Sequence, residues 1–207
     1  QDSWGAMLEK ALGPDAQVLN FGVDGYGIDQ AWLRYARDVR PWKPDLVLFG
    51  FIQHDMHRTV AVYPFISFGW DYPFAKPRFT QVDGRLKLAN LPLPDARAIA
   101  AAPDAGALPF VRLDLGYRRT DWRWRPGNPP LLGRLLGAAL PRWQPEPPEV
   151  SPAAATALSA ALLAEFLRTT AAEGTPARIL YFPTEGAGDF GRAVDADSRI
   201  ARRMLAE

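Results

Sequence analysis

Cysteine is absent from the 207 residues. That excludes disulfide staples, thiolate-bound zinc and a thiol nucleophile, and it fits either redox compartment. Histidine occurs only as His54 and His57. An excess of one charge is also lacking. Twenty-four basic and 23 acidic side chains leave a formal net charge of +1, so no long-range field points to nucleic acid or an anionic membrane as partner. No apolar run approaches the roughly 20 residues of a membrane span. The first residues lack the charged-then-apolar layout of a signal peptide and read as mid-domain sequence. No internal repeat is present. What remains is an ordinary globular composition, 48% hydrophobic and 23% charged, enough for one full core or a core with a smaller appendage.

Local patterning predicts an α/β chain. Asp2-Ser3 precede Trp4, Met7, Leu8 and Leu12 at helical spacing, and Gly13-Pro14 ends that run. Gln17 to Phe21 is apolar, short and bounded by Gly22, the signature of a buried strand. Asp29 is positioned to cap a helix that buries Trp32, Leu33, Tyr35, Ala36 and Val39 and closes at Pro41 and Pro44. Asp45 to Ile52 then reads as a strand apolar on both faces, which belongs inside a covered parallel sheet. After Ser151-Pro152, an alanine-rich helix runs to about Glu173 with Leu158, Leu162, Leu163 and Phe166 inward and Gly174 as its stop. Arg178 to Phe182 is a further strand, and Asp197 or Ser198 begins a last helix through Ile200, Met204 and Leu205.

The middle of the chain departs from this alternation. Arg78 to Leu88 predicts a hairpin outside the main sheet, with Asp83-Gly84 as its turn and Leu86 and Leu88 on one face. From Pro92 to Pro152 stand 12 of the 20 prolines, interleaved with Trp122, Trp124, Trp143 and the cluster Arg118, Arg119, Arg123 and Arg125. Proline at that density predicts an irregular insertion, with one short helix at Leu131 to Leu140. Its tryptophans and arginines either stack to fix a long loop onto the domain or form a lid or partner surface. The chain thus divides into an α/β segment (1–59), a hairpin and Pro/Trp/Arg-rich insertion (60–151), and a return to the α/β domain (152–207).

The order Asp2-Ser3-Trp4 plus helix, Asn20-Phe21-Gly22-Val23-Asp24-Gly25-Tyr26-Gly27-Ile28-Asp29-Gln30, then Lys43-Pro44-Asp45-Leu46-Val47-Leu48 and Asp55 resembles the SGNH (GDSL-type) hydrolases. The resemblance covers roughly residues 2 to 58, with a weaker echo in Pro77-Arg78-Phe79, Asp83-Gly84 and the late helices and strand. It implies a flavodoxin-like three-layer α/β/α sandwich with a parallel sheet, here incomplete at both ends. It also implies serine-based acyl chemistry on a small-molecule or glycan-linked acyl ester, with no metal and no organic cofactor. Gly25 falls at the family's oxyanion glycine, where a missing side chain lets the backbone N–H approach the developing charge. His54 stands where the family has an oxyanion asparagine. A neutral imidazole offers one N–H there, in a different direction from a carboxamide. Asp24 and Asp55 flank these positions as candidate substrate contacts, and Asp55 is also placed to organise its loop through backbone N–H groups. His57 and Arg58 follow closely enough for one of them to face the site. Asn20, Asp24 and Asp29 suit turn and cap roles.

Two of the family's four blocks have no counterpart. Ser3 matches the helix-starting residue that follows the nucleophile block, and neither histidine forms an Asp-x-x-His pair. Two expectations follow. Either the chain is a fragment of an esterase whose nucleophile and catalytic histidine lie outside it, and is inactive alone, or it is a non-catalytic relative that binds a glycan or a protein.

Overall fold

The computed structural model describes residues 3–67, 73–103, 105–115 and 152–182. The expected helices at 131–140 and after Asp197, and the Trp/Arg cluster, lie outside the described residues. None of the described helices is long and apolar enough to cross a membrane.

The described elements mix helices with two short two-stranded sheets, consistent with the coarse α/β class. Helix α1 (Trp4–Leu12) is capped by Ser3, whose hydroxyl accepts the Ala6 N–H at 3.3 Å, and ends at Gly13 with φ 90°. Helix α2 (Ile28–Arg34) passes into a π turn at Tyr35–Val39 and a 3-10 turn at Arg40–Trp42. Pro41 has no N–H to continue the helical ladder, and Lys43 in the left-handed region (φ 49°) turns the chain away. Strand β1 (Val47–Phe51) leads directly into α3 (Gln53–Thr59), and a short α4 (Pro64–Ser67) follows. The hairpin β2 (Phe79–Val82) and β3 (Arg85–Leu88) turns through Asp83 at φ 51° and Gly84 at φ 71°, as its Asp-Gly pair predicts. It is a sheet of its own, separate from the main one. The described part of the insertion carries α5 (Ala96–Ala100) and two 3-10 turns.

Helix α6 (Pro152–Ala172) is the spine of the core. Leu158, Leu162, Leu163 and Phe166 are buried, as their spacing predicts. Gly174 closes it at φ 70° while the N–H of Thr175 reaches back to the carbonyl of Thr170, a Schellman closure. Strand β4 (Ala177–Tyr181) then pairs in parallel with β1, Val47 opposite Ala177 through Phe51 opposite Tyr181. Phe166 stands at the centre, its ring 4.8 Å from Phe49, 5.1 Å from Tyr35 and 6.3 Å from Trp32. A second, smaller cluster joins Val62, Tyr63, Ala75, Ile99, Leu108 and Val111. The insertion, irregular in backbone, therefore still closes an apolar centre of its own.

Four expectations are corrected. Gln17–Phe21 forms no regular element and pairs into neither described sheet, and Leu19 is exposed; an apolar run becomes a strand only where a ladder partner lies beside it. Val47, Phe49 and Phe51 pack on the core, whereas Gly50 on the opposite face of β1 is exposed, so one face of the strand is covered among the described residues. In α1, Trp4, Met7 and Leu12 are more than half exposed, although the helix itself is where the sequence puts it. Asp29 does not cap α2: Gly27 holds that position, and Asp29 lies inside the first turn, fully buried.

Candidate active-site region

Parallel sheets present ligands at the carboxyl ends of their strands. At that end of β1, Ile52 is extended and its N–H donates to Asp55 Oδ2 at 2.9 Å, which starts α3. The other oxygen of Asp55 takes the Arg58 guanidinium at 2.7 Å. Burial nonetheless pushes the Asp55 carboxyl above its ordinary range, against the pull of Ile52 and Arg58. Asp55 thus organises the turn, as its position after an apolar strand suggests. His54 is exposed on the first turn of α3, a helical position rather than a strand end, with its ring centroid 6.5 Å from that of His57.

The far end of α3 grips the start of α2. Thr59 Oγ1 donates to the Asp55 carbonyl at 2.7 Å and accepts the Ile28 N–H at 3.0 Å. That hydroxyl satisfies one of the N–H groups a helix start leaves open. Gly27 allows the approach. A Cβ there would lie 2.8 Å from the Thr59 nitrogen and 3.0 Å from the Arg58 carbonyl carbon. Just upstream, Tyr26 N–H closes a turn onto Val23 C=O at 3.4 Å, with Asp24 exposed and Gly25 half-buried at φ 79°. The third position of such a turn demands positive φ, which is why glycine stands there. Asn20 Oδ1 braces the loop by accepting the Gly22 N–H at 2.9 Å. The segments bearing Gly25 and His54 therefore meet, through Gly27, Ile28 and Thr59.

A buried polar network beneath this junction escapes sequence reasoning. The Lys76 ammonium contacts Asp29 Oδ2 and donates to the Pro77 carbonyl at 3.1 Å. Asp29 Oδ1 accepts the Gln30 N–H at 2.9 Å. Burial raises the Asp29 carboxyl and lowers the Lys76 amine, each opposed by attraction to the other. Asn90 accepts the Arg78 N–H and donates to the Lys76 carbonyl, both at 2.7 Å. Asp114 Oδ2 receives the N–H groups of Val62 and Tyr63 at 2.8 and 2.7 Å. The network fastens the loop before the hairpin and the insertion to α2. The one signal in the sequence is Lys76 itself, a charge directly after the apolar Pro73-Phe74-Ala75.

Chemically, the region offers a backbone amide in a positive-φ turn and an exposed imidazole. Ser3 is occupied as a helix cap, and Ser159 is enclosed in the core. Among the described residues, no group of three or more His, Asp or Glu side chains is placed to hold a metal ion. The open hollow of about 460 Å³ between α6 and β4 is lined by Leu167, Thr170, Gly174 and Arg178, at the amino end of β4. It lies at the wrong end of the strands for an α/β ligand site and holds one ionisable group. Comparison with protein-family models, curated proteins and solved structures returns no significant match.

Proposed function

We propose that this chain supplies the oxyanion-binding part of an SGNH-type serine hydrolase acting on carboxylic esters, with the nucleophilic serine and the catalytic histidine outside the chain. The observation that carries the reading is the Gly25 turn at φ 79°, directly before Gly27 and Ile28, which meet Thr59 at the far end of α3. In this reading the parallel pair and its helices belong to a flavodoxin-like three-layer sandwich, and the substrate is a small-molecule or glycan-linked acyl ester.

The serine hydroxyl adds to the ester carbonyl as its proton passes to the histidine. Negative charge collects on the former carbonyl oxygen, where the Gly25 N–H, the serine's own N–H and the His54 imidazole N–H receive it. Collapse expels the alcohol, which takes the proton back, and water then releases the acid by the same route. Donors fixed in advance stabilise that oxygen more than water does, because they need no reorganisation.

The test pairs the 207-residue chain with the protein translated from its extended reading frame. The extended protein is expected to turn over p-nitrophenyl acetate saturably and to be labelled at one serine by a fluorophosphonate; the chain alone is expected to do neither. Saturable turnover by the chain alone, or an extended protein that resists the label, overturns the assignment. His54 in place of asparagine favours a second reading, a binding module for a glycan or a protein. Glycan binding by an unlabelled extended protein would select it.

A further inference from the structure

The face of α3 opposite the core carries a second chemistry. Met56 and Thr59 are buried and fix one side of the helix to the domain. At 100° per residue, His54 and His57 fall together on the other side, three residues apart. Their ring centroids lie 6.5 Å apart with planes at 80°. Zn–N bonds of about 2.0–2.1 Å at a tetrahedral angle bring two imidazole centroids to about 5 Å. The observed pair lies about 1.5 Å beyond that separation, on a shared turn of backbone. That backbone is well held: the Asp55 carboxylate receives the Ile52 N–H and Arg58, and the Thr59 hydroxyl bonds the Asp55 carbonyl. A rigid platform keeps both imidazoles on one side, so the second ligand binds at high effective concentration once the first is engaged.

We propose that His54 and His57 form a two-imidazole chelate for a divalent transition-metal ion of the Zn²⁺ type. Imidazole selects borderline ions such as Zn²⁺, Ni²⁺ and Cu²⁺ over the oxygen-seeking Mg²⁺ and Ca²⁺. With two protein ligands, water fills the remaining positions, so the ion is exchangeable rather than a structural clamp.

The untagged chain has two histidines, so its imidazole Hε1 NMR signals are two and both report on the proposal. Titration with ZnCl₂, followed by calorimetry and by these signals, is expected to saturate at one ion per chain with both imidazoles responding together. MgCl₂ is expected to move neither signal. His54→Ala and His57→Ala are each expected to weaken Zn²⁺ binding by about tenfold or more. In the unsubstituted chain, Zn²⁺ is expected to protect both rings from diethyl pyrocarbonate, a readout that does not depend on variants folding. Absence of saturable binding, response or protection of a single ring, or unchanged affinity in either variant overturns the proposal.

Discussion

The ammonium of Lys76 lies against the carboxylate of Asp29, 47 residues earlier in the chain, with both side chains all but sealed from solvent. Two charges removed from water are stable only together, so the pair fastens the loop before the hairpin onto the first turn of α2. That same turn begins at Gly27 and follows the Gly25 loop in the chain, so the pair holds the start of the helix that the loop leads into.

Breaking this pair on one side leaves the other charge buried alone. Lys76→Met is expected to cost about 3–5 kcal/mol in urea denaturation. Asp29→Leu combined with Lys76→Met is expected to recover most of that loss, because apolar replacement of both partners is often neutral. A double variant as unstable as the sum of the singles would show that the pair is not coupled.

Two glycines separate close approach to backbone from close approach to a side chain. An added methyl at Gly27 meets the backbone of Thr59 and Arg58 and the buried Asp29 carboxylate, whereas at Gly50 it meets the ring of Phe182 at 2.8 Å, and that ring is 45% exposed. Gly27→Ala is expected to cost about 1–3 kcal/mol, and Gly50→Ala distinctly less, because an exposed ring can swing aside. Equal thermal shifts in the two variants would contradict this account.

Alkaline pH should weaken the fold through two tyrosines. Burial and the hydrogen bond from Tyr35 to Glu173 at 2.9 Å push the Tyr35 hydroxyl up to about 12, and burial with the nearby Asp114 pushes Tyr63 to about 12. A folded value above the unfolded value near 10 means a contribution complete below pH 10 and lost as pH rises toward 12. Tyr35→Phe is expected to make the fall in denaturation midpoint across that window shallower. Absorbance at 295 nm should show one fewer late-titrating tyrosine.

Within α6, the Ser159 hydroxyl is buried with no hydrogen-bond partner among the described residues. Ser159→Ala removes an unsatisfied polar atom and adds helix propensity, so it is expected to stabilise by roughly 1 kcal/mol. A lower melting temperature would instead reveal a partner for that hydroxyl.

On the hydrolase reading, Gly25→Val in the extended protein removes the φ 79° turn and with it the aim of one N–H. Turnover is expected to fall by about 10²–10³ with KM changed far less, since the amide acts on charge that exists only in the transition state. A rise in KM at constant turnover would assign Gly25 to substrate binding instead.

Local chemistry made much of this fold legible. Ser3 as a helix cap, Gly13 and Gly174 as helix stops, Asp83-Gly84 as a hairpin turn and the inward stripe of α6 each depend on residues within a few positions of one another. Asp55 was also readable, because its partners Ile52 and Arg58 are its neighbours. Gln17–Phe21 and Asp29 misled for the opposite reason. Strand formation needs a partner from elsewhere in the chain, and a carboxylate at a helix start caps the helix only if no buried ammonium claims it.

The sequence by itself determined the mixed helix and strand content, the hairpin and the placing of both histidines within four residues, since backbone sterics and side-chain period act locally. Tertiary structure alone decided that Thr59 receives the Ile28 amide, that Lys76 finds Asp29, and that one face of β1 is buried while Gly50 opposite is exposed. Those are contacts between distant segments, and their energy comes from removing groups from water together, which no short stretch of chain can do alone.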